Sequence, residues 1–282
     1  MQEQKSHENL QDNRDRIPHI SIVTINFNHL KDLQETFSNV IGQTYQDVEY
    51  IVIDGASQDG TVEFLENNSK YLSYWISEKD NGIYDAMNKG VKAAKGEWII
   101  FMNSGDLFFQ ESTLAQIAPY LVRSNDVVYG GVESIVNDKY GYRTSHCQPS
   151  DLSLIWHQIP TCHQSIFVRR ELQAKYPFDT SLSWCADHDF LARLYQLGSK
   201  FQEVPIIVSK FDASGGKIRD LLTYTRERWS ICRRYFGKTR EQELFFLNEY
   251  RVFWLQKNLN QRIRNILPKE WIIATRKLRG IY

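Results

Sequence analysis

Residues 77–106 read S-E-K-D-N-G-I-Y-D-A-M-N-K-G-V-K-A-A-K-G-E-W-I-I-F-M-N-S-G-D, and they decide the fold. The spacing predicts a helix over 83–95. Ile83, Met87 and Val91 recur at i, i+4 and i+8, while Ala86, Gly90 and Ala94 keep the adjoining side slim. Gly90 costs helix propensity, so it points to a neighbour packed closely there. Gly96 reads as the helix stop, and 97–102 as a short buried strand. That strand delivers Asn103, Ser104, Gly105 and Asp106 at its carboxyl end, where open α/β sheets bind ligands. A carboxylate beside a glycine, which lets backbone approach closely, suits a divalent metal carrying phosphates. A turn or helix start that uses Asp106 locally fits the spacing equally well.

The flanking chain alternates strand and helix. Pro18 introduces a strand over 19–25 that ends in Asn26-Phe27-Asn28, followed by a helix over 29–42 with Leu30, Leu33, Phe37, Val40 and Ile41 on one face. A second strand, 48–53, ends in the turn D-G-A-S-Q-D-G-T over 54–61. A helix over 62–67 and a strand over 72–76 lead back to the opening stretch. This alternation predicts an α/β fold with a predominantly parallel sheet. Beyond Asp106 the pattern predicts a helix over 112–122, a strand over 126–132, a hairpin and loop within 133–160, a strand over 165–168, a helix over 186–197 and a strand over 201–208.

Composition bounds the rest. The chain has 282 residues, 42% of them hydrophobic and 13% aromatic, enough for a real core and against wholesale disorder. The formal net charge of zero hides an asymmetry: 217–282 carry sixteen Lys or Arg against six Asp or Glu, so +10 at the rear faces −10 over 1–216. Four scattered cysteines with no C-x-x-C pair argue against a zinc site and for a reducing compartment. The polar N-terminus lacks an apolar signal region, and no run approaches the ~18 apolar residues of a membrane span. Residues 1–17 read as a disordered tail, 18–216 as the α/β domain, and 217–282 as a basic helical extension broken near Gly237 and Pro268.

Taken with the turn at Asp54 and the stretch W-C-A-D-H-D-F-L over 184–191, the opening segment resembles glycosyltransferase family 2, the inverting nucleotide-sugar transferases of GT-A fold. The resemblance spans 18–216, with three motifs in order. It implies a metal ligand at Asp106, with Asn103 and Ser104 in the same turn. The family usually has two adjacent acidic residues there, and Gly105 replaces the first. It also implies that Asp54 contacts the nucleotide base, with Thr24 and Asn26 as another wall of that pocket. Physically, Asp54 can accept from a base N–H and Asp59 is suited to capping its helix. By the same analogy Asp80, Tyr84 and Asp85 surround the ribose and sugar, although Asp85 also suits the helix dipole. Asn88 reads either as a contact or as a hydrogen-bond partner for neighbouring loops.

Asp187 matches the family's general base, and Asp189 a second acidic position that supports the site; capping the helix start is the competing reading of both. His163, in a His-Gln pair, is a candidate for the pyrophosphate or the acceptor, or a buried hydrogen-bonded histidine. Residues 214–216, S-G-G, resemble a loop closing over the nucleotide, or form a plain linker. The implied reaction is a single inverting displacement, with Mn²⁺ or Mg²⁺ on the diphosphate and Asp187 taking the acceptor proton. UDP-sugar is the default donor, and a glycan or polyprenyl-diphosphate-linked hydroxyl the acceptor, in surface polysaccharide biosynthesis. The expected place is the cytoplasm, peripheral on the inner membrane face, with the basic tail on anionic lipid, packed on the catalytic domain, or in a homo-oligomer.

Rival functions fare worse. A dinucleotide oxidoreductase wants G-x-G-x-x-G after the first strand, which T-I-N-F-N lacks. A processive synthase brings membrane spans and a Q-x-x-R-W motif, of which only Arg228-Trp229 is present, with threonine at 225. Nothing resembles a nucleic-acid module. A catalytically inactive nucleotide-sugar binder on the same fold is the remaining alternative, raised by Gly105.

Overall fold

The computed structural model describes residues 19–138, 141–212 and 220–258. The expectations for 1–17, for the glycine stretch 214–216 and for everything past 258 lie outside the described residues.

Among the described residues nine strands form one sheet: β1 (Ile20–Asn26), β2 (Val48–Asp54), β3 (Tyr74–Ser77), β4 (Trp98–Phe101), β5 (Leu107–Phe108), β6 (Val127–Asp138), β7 (Gly141–Cys147), β8 (Ile166–Arg169) and β9 (Phe201–Asp212). Their order is β3-β2-β1-β4-β8-β6-β9-β5, with β7 on β6. The first four run parallel. β8 then reverses, antiparallel to both β4 and β6, while β6 and β9 pair in parallel. The hairpin expected within 133–160 is β6–β7, aligned from Val132 and Cys147.

Alternate side chains of the parallel strands feed two cores, which is why the strands read as unbroken apolar runs. Val23, Ile51, Ile53, Ile99 and Phe101 point to one face, against α3 (Ile83–Ala93) and α6 (Ala186–Gln196). Ile22, Val52 and Ile100 point to the other, against α1 (Leu30–Ile41), α2 (Thr61–Asn67) and α4 (Thr113–Ile117). A short helix α5 (Arg170–Lys175) follows β8.

The opening stretch differs from its reading in two details. Ile83 is 47% exposed. It shares the angle of the buried face, but as the first helical residue it stands beyond the sheet's carboxyl edge. Gly96 is not the helix stop, because the helix ends at Ala93 and Ala94 is already extended. Gly96 is glycine for closeness: its N–H donates to Ser21 Oγ (2.9 Å) and Glu49 Oε1 (2.8 Å), and a Cβ would lie 2.6 Å from that hydroxyl. Gly90 does pack as expected, since a Cβ there would overlap Val23 of β1. Gly90→Ala is therefore expected to destabilise the fold by about 1–3 kcal/mol. An unchanged urea midpoint would mean that Val23 yields freely.

The chain closes with α7 (Leu221–Tyr235) and α8 (Arg240–Asn258), separated at Gly237, whose φ is +90°. Both pack against the sheet domain rather than standing free. Ile231 of α7 meets Cys185 and Ala192, and Phe245 of α8 meets Trp156 with ring centroids 5.2 Å apart. Arg228 is 4% exposed, donates to Glu249 (2.9 Å) and to the His157 carbonyl (2.6 Å), and so joins the two helices to the domain. Trp229 stacks on Phe246. Arg228-Trp229 is thus a structural clamp and not an acceptor motif.

Candidate active site

Four strand ends and one helix start converge at the carboxyl edge of the parallel strands. The turn after β4 is closed by the Asp106 N–H donating to the Asn103 carbonyl at 2.8 Å. Gly105 sits in it at φ +95°, a left-handed conformation that L side chains rarely adopt. The glycine that replaces the expected acidic residue is therefore demanded by the turn. Thr36 of α1 holds the same turn, accepting from the Gly105 N–H (2.9 Å) and donating to the Asp106 carbonyl (2.9 Å). Ser104 donates to Asn26 Oδ1 at 2.9 Å.

This geometry aims the Asp106 carboxylate at 162–164. Gln164 donates to Asp106 Oδ1 (3.3 Å), and His163 Nε2 stands 3.9 Å from Oδ2. His163 Nε2 also lies 2.9 Å from the Asn103 amide nitrogen. Burial pushes the Asp106 carboxyl up to about 6, partly offset by His163. Across the cleft, Asp187 lies in the first turn of α6. Its Oδ1 accepts the His188 N–H (2.8 Å), and the Tyr84 hydroxyl of α3 reaches it at 3.5 Å. Burial raises the Asp187 carboxyl above the ordinary aspartate value, and the charge of His163 opposes that rise. Asp187 is thus brought to Tyr84, in the first turn of α3, and the charge of His163 acts on both carboxylates.

The remaining predicted residues frame this cleft. Asp54 is fully buried and accepts from Asn26 Nδ2 (2.9 Å), Ser57 N (2.9 Å), Ser57 Oγ (2.5 Å) and Ser77 Oγ (2.6 Å). Thr24, also without exposure, donates to the Met102 carbonyl at 2.6 Å. Neither presents a side chain to a ligand in this conformation; they lock the ends of β1, β2 and β4 together. Asp59 accepts from Thr61 N (3.2 Å) at the start of α2 and from Leu30 N (2.8 Å) at the start of α1. Asp85 accepts from Asn81 N at 2.9 Å and braces the loop before α3. Asn88 is turned from the cleft, exchanging two hydrogen bonds with the backbone of Phe178 (3.0 and 2.9 Å). Asp189 is 1% exposed and bound to Arg193 (3.1 Å) and Arg234 (2.7 Å), a support and not a contact.

Asp80 is half-buried beside Gly55. A Cβ on Gly55 would meet both Asp80 Oδ2 (2.7 Å) and the ring of Phe27 (3.2 Å). Phe27, 59% exposed at the end of β1, was passed over in the sequence, although an aromatic at a strand end beside a turn glycine is a usable signal. Gln164 had one too, as the partner in the His-Gln pair. Thr36 had none, lying mid-helix among polar residues.

No group of three or more His, Cys, Asp or Glu among the described residues is arranged to hold a metal ion. An ion here would have few protein ligands, the pattern of Mg²⁺-type ions that keep water and bind substrate phosphates. The donor set fits that role: one carboxylate on Asp106, and beside it the buried Asn103 Oδ1, which has no hydrogen-bond partner. The thiol of Cys162 is pushed up to about 12, mainly by burial, and is no nucleophile.

The family description Glycosyl transferase family 2 matches residues 21–176. An uncharacterized glycosyltransferase of Mycobacterium tuberculosis is 33% identical over 205 residues, covering 70% of this chain and 76% of its own. A PGL/p-HBAD biosynthesis glycosyltransferase of Mycobacterium bovis is 30% identical over 209 residues, covering 71% and 78%. Among solved structures, S. aureus TarS 1–349 with UDP-GlcNAc superposes with a TM-score of 0.63 at 16% identity, over 87% of this chain and 77% of that one. The mannosyltransferase PcManGT from Pyrobaculum calidifontis, in complex with GDP-Man and Mn²⁺, gives 0.60 at 16%, over 95% and 84%. The mixed sheet, the turn at Asp106 and these matches agree: the chain belongs to glycosyltransferase family 2, enzymes that transfer a sugar from a nucleotide-sugar donor.

Proposed function

We propose that this enzyme is an inverting hexosyltransferase that moves a sugar from a nucleoside-diphosphate donor to a hydroxyl of a glycan or a polyprenyl-diphosphate-linked lipid. One observation supports the reading: Asp106 follows β4 with Gln164 at 3.3 Å and His163 at 3.9 Å from its carboxylate, while Asp187 meets Tyr84, at the start of the helix after β3, at 3.5 Å. Asp187 takes the proton of the acceptor hydroxyl as that oxygen bonds to the anomeric carbon. The bond from that carbon to the diphosphate oxygen breaks on the opposite face, and the nucleoside diphosphate leaves. Asp106 and Asn103 would hold the divalent ion, which supplies positive charge to the departing diphosphate. His163 borders the same leaving group, and Phe27, Gly55 and Asp80 offer the base and ribose a wall. Uridine remains the default base, supported by the UDP-GlcNAc of the TarS structure; GDP-Man in the second neighbour makes guanosine the first competitor.

The test is a donor panel. UDP- and GDP-sugars with Mn²⁺ or Mg²⁺ are compared by thermal shift and then by turnover, including hydrolysis without acceptor. Binding with neither hydrolysis nor transfer for any donor would favour an inactive binder instead.

A lipid-linked acceptor agrees with the outer face of α8. The apolar side chains of that helix are divided between two sides. Phe253 is buried beside Phe246, and Phe245 is half-buried, whereas Leu244, Leu247 and Trp254 are 46%, 41% and 49% exposed. The inward side is fixed by the buried Arg228–Glu249 pair, a charge that apolar periodicity does not register. Leu244, Leu247, Arg251 and Trp254 fall on one outward arc and suit an anionic membrane surface, where each cation adds about 1 kcal/mol. No helix among the described residues is long and apolar enough to cross a membrane, so contact there would be at the surface. The triple variant Leu244→Glu, Leu247→Glu, Trp254→Ala is expected to lose most co-sedimentation with anionic liposomes at low salt. Equal sedimentation of variant and parent would remove the docking role.

A further inference from the structure

We propose that Glu227, on α7 of the C-terminal extension, is a positioning residue for Asp187; the inference rests on the reading of Asp187 as the base. Its carboxylate accepts three successive backbone N–H groups, of Ser183 (2.7 Å), Trp184 (2.9 Å) and Cys185 (3.1 Å). These residues run directly into the first turn of α6, where Asp187 is the second helical residue. Two residues past it, Asp189 is tied to Arg193 of the same helix and to Arg234 of α7, and the Tyr235 hydroxyl reaches it at 3.3 Å. The turn carrying Asp187 is therefore gripped on both sides by α7, through ionic groups of opposite sign.

Asp187 itself is lightly held. Its hydrogen bonds come from the adjacent His188 N–H and, at 3.5 Å, from the Tyr84 hydroxyl. Its place in the cleft follows from where the first turn of α6 stands, and Glu227 fixes that turn. Glu227 is only 9% exposed, and its carboxylate is spent on backbone amides, with no cation paired to it among the described residues. Burying such a charge is costly unless hydrogen bonds satisfy it, and a neutral side chain could fill the same gap. What the carboxylate adds is direction: three N–H groups aimed at two oxygens define the loop's orientation. Misplacing a reacting group by about 1 Å costs about 10²-fold in rate, so this grip sets turnover far more than donor affinity. A helical extension that began as an appendage in the sequence thereby becomes part of the catalytic unit.

The experiment compares Glu227→Ala, Glu227→Gln, Asp187→Asn and the double variant Asp187→Asn/Glu227→Ala in the full chain. Glu227→Ala is expected to lower turnover at saturating donor and acceptor by about 10–100-fold, with donor KM and nucleoside-diphosphate affinity unchanged. Glu227→Gln, which keeps one accepting oxygen, recovers part of the loss. The double variant is no slower than Asp187→Asn alone, because an asparagine in that place has no proton transfer left to misalign. Parent turnover in Glu227→Ala beside a defective Asp187→Asn overturns the positioning role and leaves the base intact. Losses that multiply in the double variant also overturn it, since Glu227 then acts on something else. Parent turnover in Asp187→Asn sinks the base reading, and this proposal with it. If Glu227→Ala does not fold, Glu227→Gln and its double with Asp187→Asn carry the same comparisons.

Discussion

Replacing Asp187 by asparagine is expected to cut sugar transfer by about 10²–10⁴-fold, the range for loss of a general base, while nucleotide affinity stays near the parent value. Asparagine keeps the shape and can still accept the His188 N–H, so the cleft is preserved and only the proton acceptor is lost. Burial raises the Asp187 carboxyl above the ordinary aspartate value of 3.8. A base works only when ionised, so transfer by the parent should rise with pH along a limb whose midpoint lies above that value. The stability consequence has the opposite sense. A carboxyl whose folded pKa is raised contributes stability while protonated and loses it as pH rises through the folded pKa. At neutral pH the ligand-free parent bears this cost and Asp187→Asn does not. The variant should therefore melt at the parent temperature or higher near pH 7, with the difference closing towards pH 4. A variant that loses nucleotide binding yet turns over bound donor normally would make Asp187 a donor-site residue.

Most of the parallel half of the fold was legible because its strands and helices are local patterns. The runs of β1, β2 and β4 and the small-residue side of α3 each show within about ten residues of sequence. Candidate site residues could be named where they lie in contiguous motifs, as at 103–106 and 184–191, although Thr36 and Glu227 hold those two turns from elsewhere in the chain. It was not legible where the partner comes from a distant segment. Asp54 looks like a free strand-end carboxylate, but Asn26, Ser57 and Ser77 consume its oxygens. Asn88 looks free on its helix and is occupied by the backbone of Phe178, 90 residues later. Glu227 carries no local signal at all, since its role exists only once α7 lies against the start of α6. β5 escaped for a simpler reason: two residues are too short for any periodicity. The positive charge of the rear was correctly a property of the extension, yet part of it is internal, in Arg228 and in the contacts of Arg234 with Asp179 and Asp189.

Asp106→Ala is expected to abolish detectable transfer, a loss of about 10²-fold or more, because charge neutralisation by a divalent ion is worth several kcal/mol in such a transition state and each 1.36 kcal/mol is tenfold. Gly105 offers no second carboxylate, and no acidic cluster surrounds the turn among the described residues. Asp106 would thus carry most of the protein's hold on the ion, with diphosphate and water supplying the rest. Binding gives a second readout. In the parent, the thermal stabilisation by nucleoside diphosphate with Mn²⁺ should shrink when a chelator is added, since ligand-linked stability follows the affinity for the folded state. In Asp106→Ala the shift should be the same with and without chelator. Asp106→Asn guards against a local collapse of the turn. It keeps the volume and the Thr36 contacts, which go to backbone atoms of 103–106 and not to the carboxylate. If the asparagine variant loses the chelator-sensitive shift while its unliganded melting temperature is retained, the defect lies in the charge and not in the fold. Full transfer by either variant, or full transfer by the parent in chelator, would remove the metal from this turn. His163, at 3.9 Å from the same carboxylate, would then be left as a neighbouring side chain for the departing diphosphate.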